Sequence, residues 1–212
     1  MDLLPGCAAM ASDAWENMYM ITDLPERKLS VSRRNPEFVT CTFIFRMGKP
    51  AGAMVDMGVP RLNAHSIPIL SEKDLVINDP IEVQKKNYRM TGISMGNPHA
   101  VIFSEEINGI SLEETGRELE FHPRFPERAN IEFCHVTARD RMEIRVWERG
   151  VGETLACGTG ACAAVVASVL NDLTDEEVIV KLLGGELSVR WDRKVNHVFL
   201  EGPAVKVFDG VL

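Results

Sequence analysis

A chain of 212 residues, 45% hydrophobic and 25% charged, has the make-up of a globular protein with room for a sizeable core, as one domain or two small ones. Its net charge of −8, with acidic residues spread along the sequence and no basic run, argues against nucleic acid as a partner. Every apolar stretch is too short to span a bilayer, so no membrane partner is expected.

The opening residues Met1-Asp2-Leu3-Leu4-Pro5-Gly6-Cys7 have neither the basic region nor the apolar run of a secretory signal. Leu4-Pro5-Gly6-Cys7 bears a faint likeness to a lipoprotein cleavage box, without the hydrophobic segment that must precede one. Five cysteines at irregular spacing (Cys7, Cys41, Cys134, Cys157 and Cys162) do not make a disulfide framework. A reducing cytoplasm is therefore the expected location. Cys157 and Cys162 lack the C-x-x-C spacing of a zinc site and the five histidines do not cluster, so no metal is expected.

In chain order, residues 8–20 run without Gly or Pro and carry a weak helical pattern. Short β-prone runs follow at 29–32, 38–46 and 53–57, punctuated by Asn35-Pro36 and Gly48-Lys49-Pro50. The polar stretch 61–79 reads as a loop or crossing segment. Strands are expected at 88–94 and 100–103 around the turn Gly96-Asn97-Pro98-His99. Ser111 with Glu114 forms an S-x-x-E capping signal, which predicts a helix over 112–119. Strands at 130–137 and 142–147 are joined by the polar turn Ala138-Arg139-Asp140-Arg141. Residues 160–170, almost all Ala, Val and Leu, predict a helix buried on most sides. A hairpin is expected from 178–183 and 186–191 around Gly184-Gly185, then strands at 197–201 and 204–208. Many strands with one apolar helix among them predict an α+β fold, a β-sheet wrapped around a central helix.

Cys157 is the most informative residue. It stands in Ala156-Cys157-Gly158-Thr159-Gly160-Ala161-Cys162, at the mouth of the apolar helix. The two glycines allow close approach of a ligand, and Thr159 is suited to cap the helix. The unpaired N–H groups and partial positive charge of a helix start are expected to lower a thiol pKa and to seat a carboxylate. A cysteine is often only a small buried hydrophobe, the reading given to Cys162, but such a residue has no need of flanking glycines. A phosphate loop is the other use of a Gly-rich helix start, and the Lys of that motif is missing.

Along the 142–148 strand, Met142, Ile144, Val146 and Glu148 share one face. Glu148 then ends an apolar face, where partial desolvation raises a carboxyl toward the range useful for acid–base work; otherwise it is a solvated turn residue. Arg149 is either a clamp for a substrate carboxylate or a surface charge. His99, in a turn after Gly96-Asn97-Pro98, has the side chain suited to proton transfer near neutral pH, though loop histidines are more often merely exposed. Asn130 is open to the ordinary reading of turn chemistry.

These segments together resemble the diaminopimelate epimerase family. The resemblance rests on Ser94-Met95-Gly96-Asn97-Pro98-His99, Arg124-Phe125-Pro126-Glu127-Arg128-Ala129-Asn130-Ile131, Trp147-Glu148-Arg149-Gly150-Val151-Gly152-Glu153-Thr154 and Ala156-Cys157-Gly158-Thr159-Gly160, all in order. It extends to Val55-Asp56-Met57-Gly58-Val59-Pro60 and to Gly202-Pro203-Ala204-Val205 with Phe208-Asp209-Gly210, covering about residues 29–212. The resemblance implies two pseudo-symmetric halves, each a sheet around a central helix, with the site between them. It implies an isomerase that interconverts LL- and meso-diaminopimelate, on the route to lysine and peptidoglycan, without pyridoxal phosphate or any other cofactor. Two thiols on opposite sides of the α-carbon pass the proton. Cys157 would be one of them, with its protonation tuned by Glu148, while His99 would tune the other. Asn97, Asn130, Glu148 and Arg149 would hold the polar ends of this small-molecule substrate, and Gly158 and Thr159 would supply backbone donors to its carboxylate. A homodimer is left open.

The family carries its other thiol in a Cys-Gly-Asn-Gly segment, and no such segment occurs in this sequence. Cys7 lies upstream of the 29–32 strand but is followed by Ala8-Ala9-Met10, and whether it stands in for that thiol is left open. The expectation is an incomplete first half over 1–62, a C-terminal half over 63–202 and a tail, 203–212, that returns to the first half. Two other readings stand beside it. One is a related cofactor-independent racemase with a different substrate. The other is a non-catalytic homologue that binds an amino acid or a partner subunit.

Overall fold

The computed structural model describes strand residues 19–21, 28–32 and 38–46 and the continuous stretch 49–204, with side chains for 41–44 and 51–204. Its strands are β1 (Tyr19–Ile21), β2 (Lys28–Ser32), β3 (Phe38–Arg46), β4 (Lys49–Asp56), β5 (Asp79–Val83), β6 (Lys86–Ser94), β7 (Pro98–Phe103), β8 (Asn130–Ala138), β9 (Arg141–Glu148), β10 (Gly152–Thr154), β11 (Glu177–Leu182), β12 (Gly185–Asp192) and β13 (His197–Pro203). The α-helices among the described residues are α1 (Leu112–Glu120) and α2 (Gly158–Leu170). The strands form one mixed sheet in the order β1-β2-β3-β4-β13-β12-β11-β9-β8-β7-β6-β5, with β10 paired to β9 outside that path.

Most neighbours are antiparallel. The two parallel pairs, β7 with β8 and β9 with β11, each need a crossover, and the two helices provide them. Period-two alternation then gives the sheet two working faces. Ala100, Ile102, Ile131 and Phe133 pack with Leu112 and Leu119 of α1. Val101, Cys134, Met142, Ile144 and Val146 pack with α2. Helix α2 has ten buried residues, from Gly158 and Gly160 to Ser168, because strands from β6 to β13 surround it. The expected sheet around a central helix is therefore present, and the fold is α+β.

Several elements depart from the sequence reading. Strand β5, between the expected loop over 61–79 and the strand over 88–94, was not anticipated, and it contains Pro80. It lies at the sheet edge, where a missing N–H is tolerated, and Asp79, Ile81 and Val83 alternate inward. Strand β10 has only three residues and its pairing with β9 defines it. In the β11–β12 hairpin Leu182 pairs with Gly185, so the turn residues are Leu183-Gly184 rather than Gly184-Gly185. Ser111 does stand at the N-cap of α1, but its side chain makes no cap hydrogen bond. The helix expected over 8–20 falls outside the described residues except for Tyr19 and Met20, which open β1. Of the strand expected over 204–208, Ala204 is not in a strand and the rest lies outside the described residues.

Candidate active site

The side chains singled out in the sequence gather where the starts of β7 and β8, the end of β9 and the first turn of α2 meet. In the parallel β7–β8 ladder His99 stands opposite Asn130, and in the antiparallel β8–β9 ladder Glu132 stands opposite Val146. Helix α2 begins at Gly158, beneath this edge.

Cys157 is the N-cap residue of α2, with extended backbone (φ −136°, ψ 109°). The expectation that Thr159 caps the helix is corrected: Thr159 lies in the first turn, and its hydroxyl faces Cys157 Sγ at 3.5 Å. The expectation of a lowered thiol pKa is also corrected. Cys157 is only 5% exposed, and burial pushes the thiol up to about 12, with the Glu148 and Glu132 carboxyls acting in the same direction. The hydroxyl of Thr159 and the backbone N–H of Gly160 pull the other way without prevailing. Desolvation thus outweighs the helix terminus here. The N–H groups of Gly158 and Thr159, having no carbonyl one turn back, remain suited to a carboxylate.

Glu148 is half-buried and still within the strand, opposite Gly152, so it is not a solvated turn residue. Its Oε1 accepts the Thr154 hydroxyl at 2.6 Å. The chain then turns sharply at Gly150, whose φ of +78° suits glycine, and Gly150 N–H donates to Oε1 of buried Glu120 at 3.0 Å. Arg149 is exposed, with Nη1 donating to the Glu127 carbonyl at 2.9 Å. Asn130 is buried and committed at both ends: Nδ2 donates to the Pro98 carbonyl at 3.0 Å and Oδ1 accepts Arg149 N–H at 2.9 Å.

His99 is not a loop residue. It is the second residue of β7 and has no accessible surface. Its Nε2 is 3.0 Å from Asn97 Oδ1, and its Nδ1 is 2.7 Å from Oε1 of Glu132. Asn97, half-buried in the β6–β7 turn, also reaches Thr159 through Nδ2 at 3.3 Å. Glu132 is the residue that the sequence reading missed. It too has no accessible surface, and burial pushes its carboxyl up against the opposing attraction of His99. The available signal was an acidic residue inside the apolar run Ile131-Glu132-Phe133-Cys134, on the same strand face as Asn130.

Cys134 and Cys162 are buried in the core, Cys162 as expected. Among the described residues no group of three or more His, Cys, Asp or Glu is placed to hold a metal ion. No helix there is long and apolar enough to cross a membrane.

The α+β architecture, a mixed sheet around a buried helix, recurs in solved structures. A hydroxyproline epimerase from Agrobacterium vitis shares it, at a TM-score of 0.59 and 12% identity over 85% of this chain and 58% of that one. So does a phenazine biosynthesis protein of the PhzF family from Bacillus anthracis, at a TM-score of 0.56 and 16% identity over 89% of this chain and 70% of that one.

Sequence narrows the class further. The family profile described as diaminopimelate epimerase matches residues 91–207. The chain is 50% identical over 163 residues to a diaminopimelate epimerase of Acetivibrio thermocellus, covering 77% of this chain and 58% of that protein. It is 46% identical over 177 residues to one of Heliobacterium modesticaldum, covering 84% and 62%. The chain belongs to the diaminopimelate epimerase family, and it spans about three fifths of the length of these curated relatives.

Proposed function

We propose that this chain carries the Cys157 face of a diaminopimelate epimerase site. The single observation behind the reading is the setting of Cys157 at the start of α2, where Thr159, bonded to Asn97, faces its sulfur and the Glu148 carboxyl, bonded to Thr154, acts on its proton. In this reading residues 63–202 form one half of the enzyme and 1–62 belong to the other.

The substrate carboxylate sits on the first-turn N–H groups of Gly158 and Thr159, where the helix start favours negative charge. Arg149 and the Asn97 and Asn130 region hold the remaining polar ends. Removing the α-proton leaves a carbanion whose charge spreads into that carboxylate, so donors already aimed at it lower the barrier. With its thiol raised to about 12, Cys157 holds its proton near neutral pH and is set to deliver it to the carbanion. In the reverse direction it must become a thiolate, and the Thr159 and Gly160 hydrogen bonds favour that form. The partner acid or base acts from the opposite face of the α-carbon. Proton transfer by thiols requires no pyridoxal phosphate, and free thiols accord with a reducing cytoplasm.

Incubation with LL- and meso-diaminopimelate in D2O tests the reading. Deuterium is expected at the α-carbon, either with inversion or, if only this face operates, slowly into one stereoisomer without it. Cys157→Ala should abolish exchange; exchange that survives the substitution would overturn the assignment.

A further inference from the structure

Glu132 points from β8 toward the first turn of α2, at Gly160. A Cβ on Gly160 would lie 2.8 Å from Glu132 Oε1 and 3.3 Å from Cys157 Sγ, so the acid and the thiol flank the same glycine. While Oε1 meets His99 Nδ1 at 2.7 Å, the other oxygen, Oε2, is buried without a hydrogen-bond partner. An ionised carboxylate would leave charge on that bare oxygen, whereas a neutral acid leaves only an unpaired carbonyl, a much smaller penalty.

The neighbours agree on the direction of donation. Asn97 turns Nδ2 to the Thr159 hydroxyl at 3.3 Å and therefore turns Oδ1, an acceptor, to His99 Nε2 at 3.0 Å. Nε2 must then carry a proton. A neutral imidazole with Nε2–H has a lone pair on Nδ1, which accepts from a protonated Glu132. At the far end the Thr159 hydroxyl accepts from Asn97 and lies 3.5 Å from Cys157 Sγ, which leaves its own proton free to be donated to the sulfur.

We propose that Glu132 is a positioning residue for Cys157: a buried, neutral carboxylic acid heading a one-way chain of donors through His99, Asn97 and Thr159 that ends on the cysteine sulfur. The catalytic meaning of this chain rests on the epimerase reading, whereas the proton arrangement does not. The titratable groups facing Glu132 are His99 from β7, Cys134 on β8 itself, Glu148 from β9 and Cys157 from α2; those facing Cys157 also include Cys162. Burial, with Glu148 adding to it, pushes the Glu132 carboxyl up, in keeping with the neutral form. A neutral Glu132 withdraws one of the two carboxylate charges that oppose a thiolate at Cys157 and leaves a hydroxyl donor aimed at it.

Infrared and 15N histidine spectra of the full chain near neutral pH test this without substrate. The wild-type minus Glu132→Gln infrared difference should show the carbonyl band of a buried carboxylic acid. The wild-type His99 ring should be protonated at Nε2 only. Absence of that band, or a proton on Nδ1, overturns the proposal, and the wild-type histidine spectrum decides it even if Glu132→Gln fails to fold. Glu132→Gln can still donate to Nδ1 through its amide, so it should keep α-proton exchange within about threefold of wild type. Glu132→Leu should lose about tenfold or more in kcat with KM less affected. Equal losses in both variants would count against the donor role. Failure of exchange in wild type, with the spectra as expected, would instead count against the epimerase reading.

Discussion

Oδ1 of Asn130 accepts the backbone N–H of Arg149 at 2.9 Å, tying the start of β8 to the turn that follows β9. Its Nδ2 ties the same point to the Pro98 carbonyl beside His99, so one buried amide spaces three strands of the site. Asn130→Ala removes the partner of the Arg149 N–H and of the buried Pro98 carbonyl and should cost about 2 kcal/mol in urea unfolding. Arg149→Ala removes an exposed side chain and should cost within about 0.5 kcal/mol, while reducing exchange of diaminopimelate. Equal stability losses in the two variants would mean that Asn130 does not brace the turn.

Glu148 is the carboxylate through which Cys157 should be most directly tuned. Its charge helps to hold the thiol up, and its Oε1 is fixed by the Thr154 hydroxyl at 2.6 Å. Glu148→Gln should therefore shift the Cys157 thiolate signal in the ultraviolet to lower pH, isolated by subtracting the Cys157→Ser spectrum. On the proposed epimerase reading, α-proton exchange should nevertheless fall about a hundredfold, since Glu148 would then serve as the acid–base partner of Cys157. An unchanged thiol titration would show that the charge on Glu148 does not reach the sulfur.

Alkali should weaken the fold through its buried thiols. Burial raises Cys134, Cys157 and Cys162 above the ordinary thiol value of 9.0, Cys157 to about 12. A group whose folded pKa is raised contributes stability that is complete below its unfolded pKa and is lost as pH rises through the folded one. The loss should begin near pH 9 and approach about 1.4 kcal/mol per pH unit for each thiol. Urea midpoints at about pH 8 and about pH 10 measure it, and Cys162→Ala should reduce the slope. A midpoint that does not move over this interval would contradict the burial of these thiols.

How much of this was legible in the sequence depends on the range of the interaction concerned. Alternation along 142–148 and the Ala/Val run at 160–170 are local signals, and they placed β9 and α2 closely. Strand β5 was obscured because Pro80 reads as a breaker unless its edge position is known. Cys157 and Glu148 stood out from local chemistry, at a helix mouth and at the end of an apolar strand face, and the roles given to Asn97 and Asn130 came from the resemblance of their motifs to a known family. Glu132 could not be paired with His99, since the two lie 33 residues apart and meet only because the parallel β7–β8 ladder brings its strands together around a helical crossover. The thiol of Cys157 was misjudged for a related reason: the helix start is local and visible, whereas the burial that outweighs it comes from strands far along the chain.

Gly160→Ala sets a local preference against a packed neighbour. Within a helix, alanine is favoured over glycine by about 1 kcal/mol, which alone would stabilise α2. The added methyl, however, would lie 2.8 Å from Oε1 of Glu132 and 3.3 Å from Sγ of Cys157. Glu132 cannot swing away cheaply, since it is fully buried and bonded to His99, and overpacking of this kind costs about 1–3 kcal/mol. The clash should prevail, lowering stability by about 1 kcal/mol net and changing the His99 ring 15N shifts while helix content by circular dichroism holds. A variant more stable than wild type with unaltered His99 shifts would show that the acid does not press on the helix at this point.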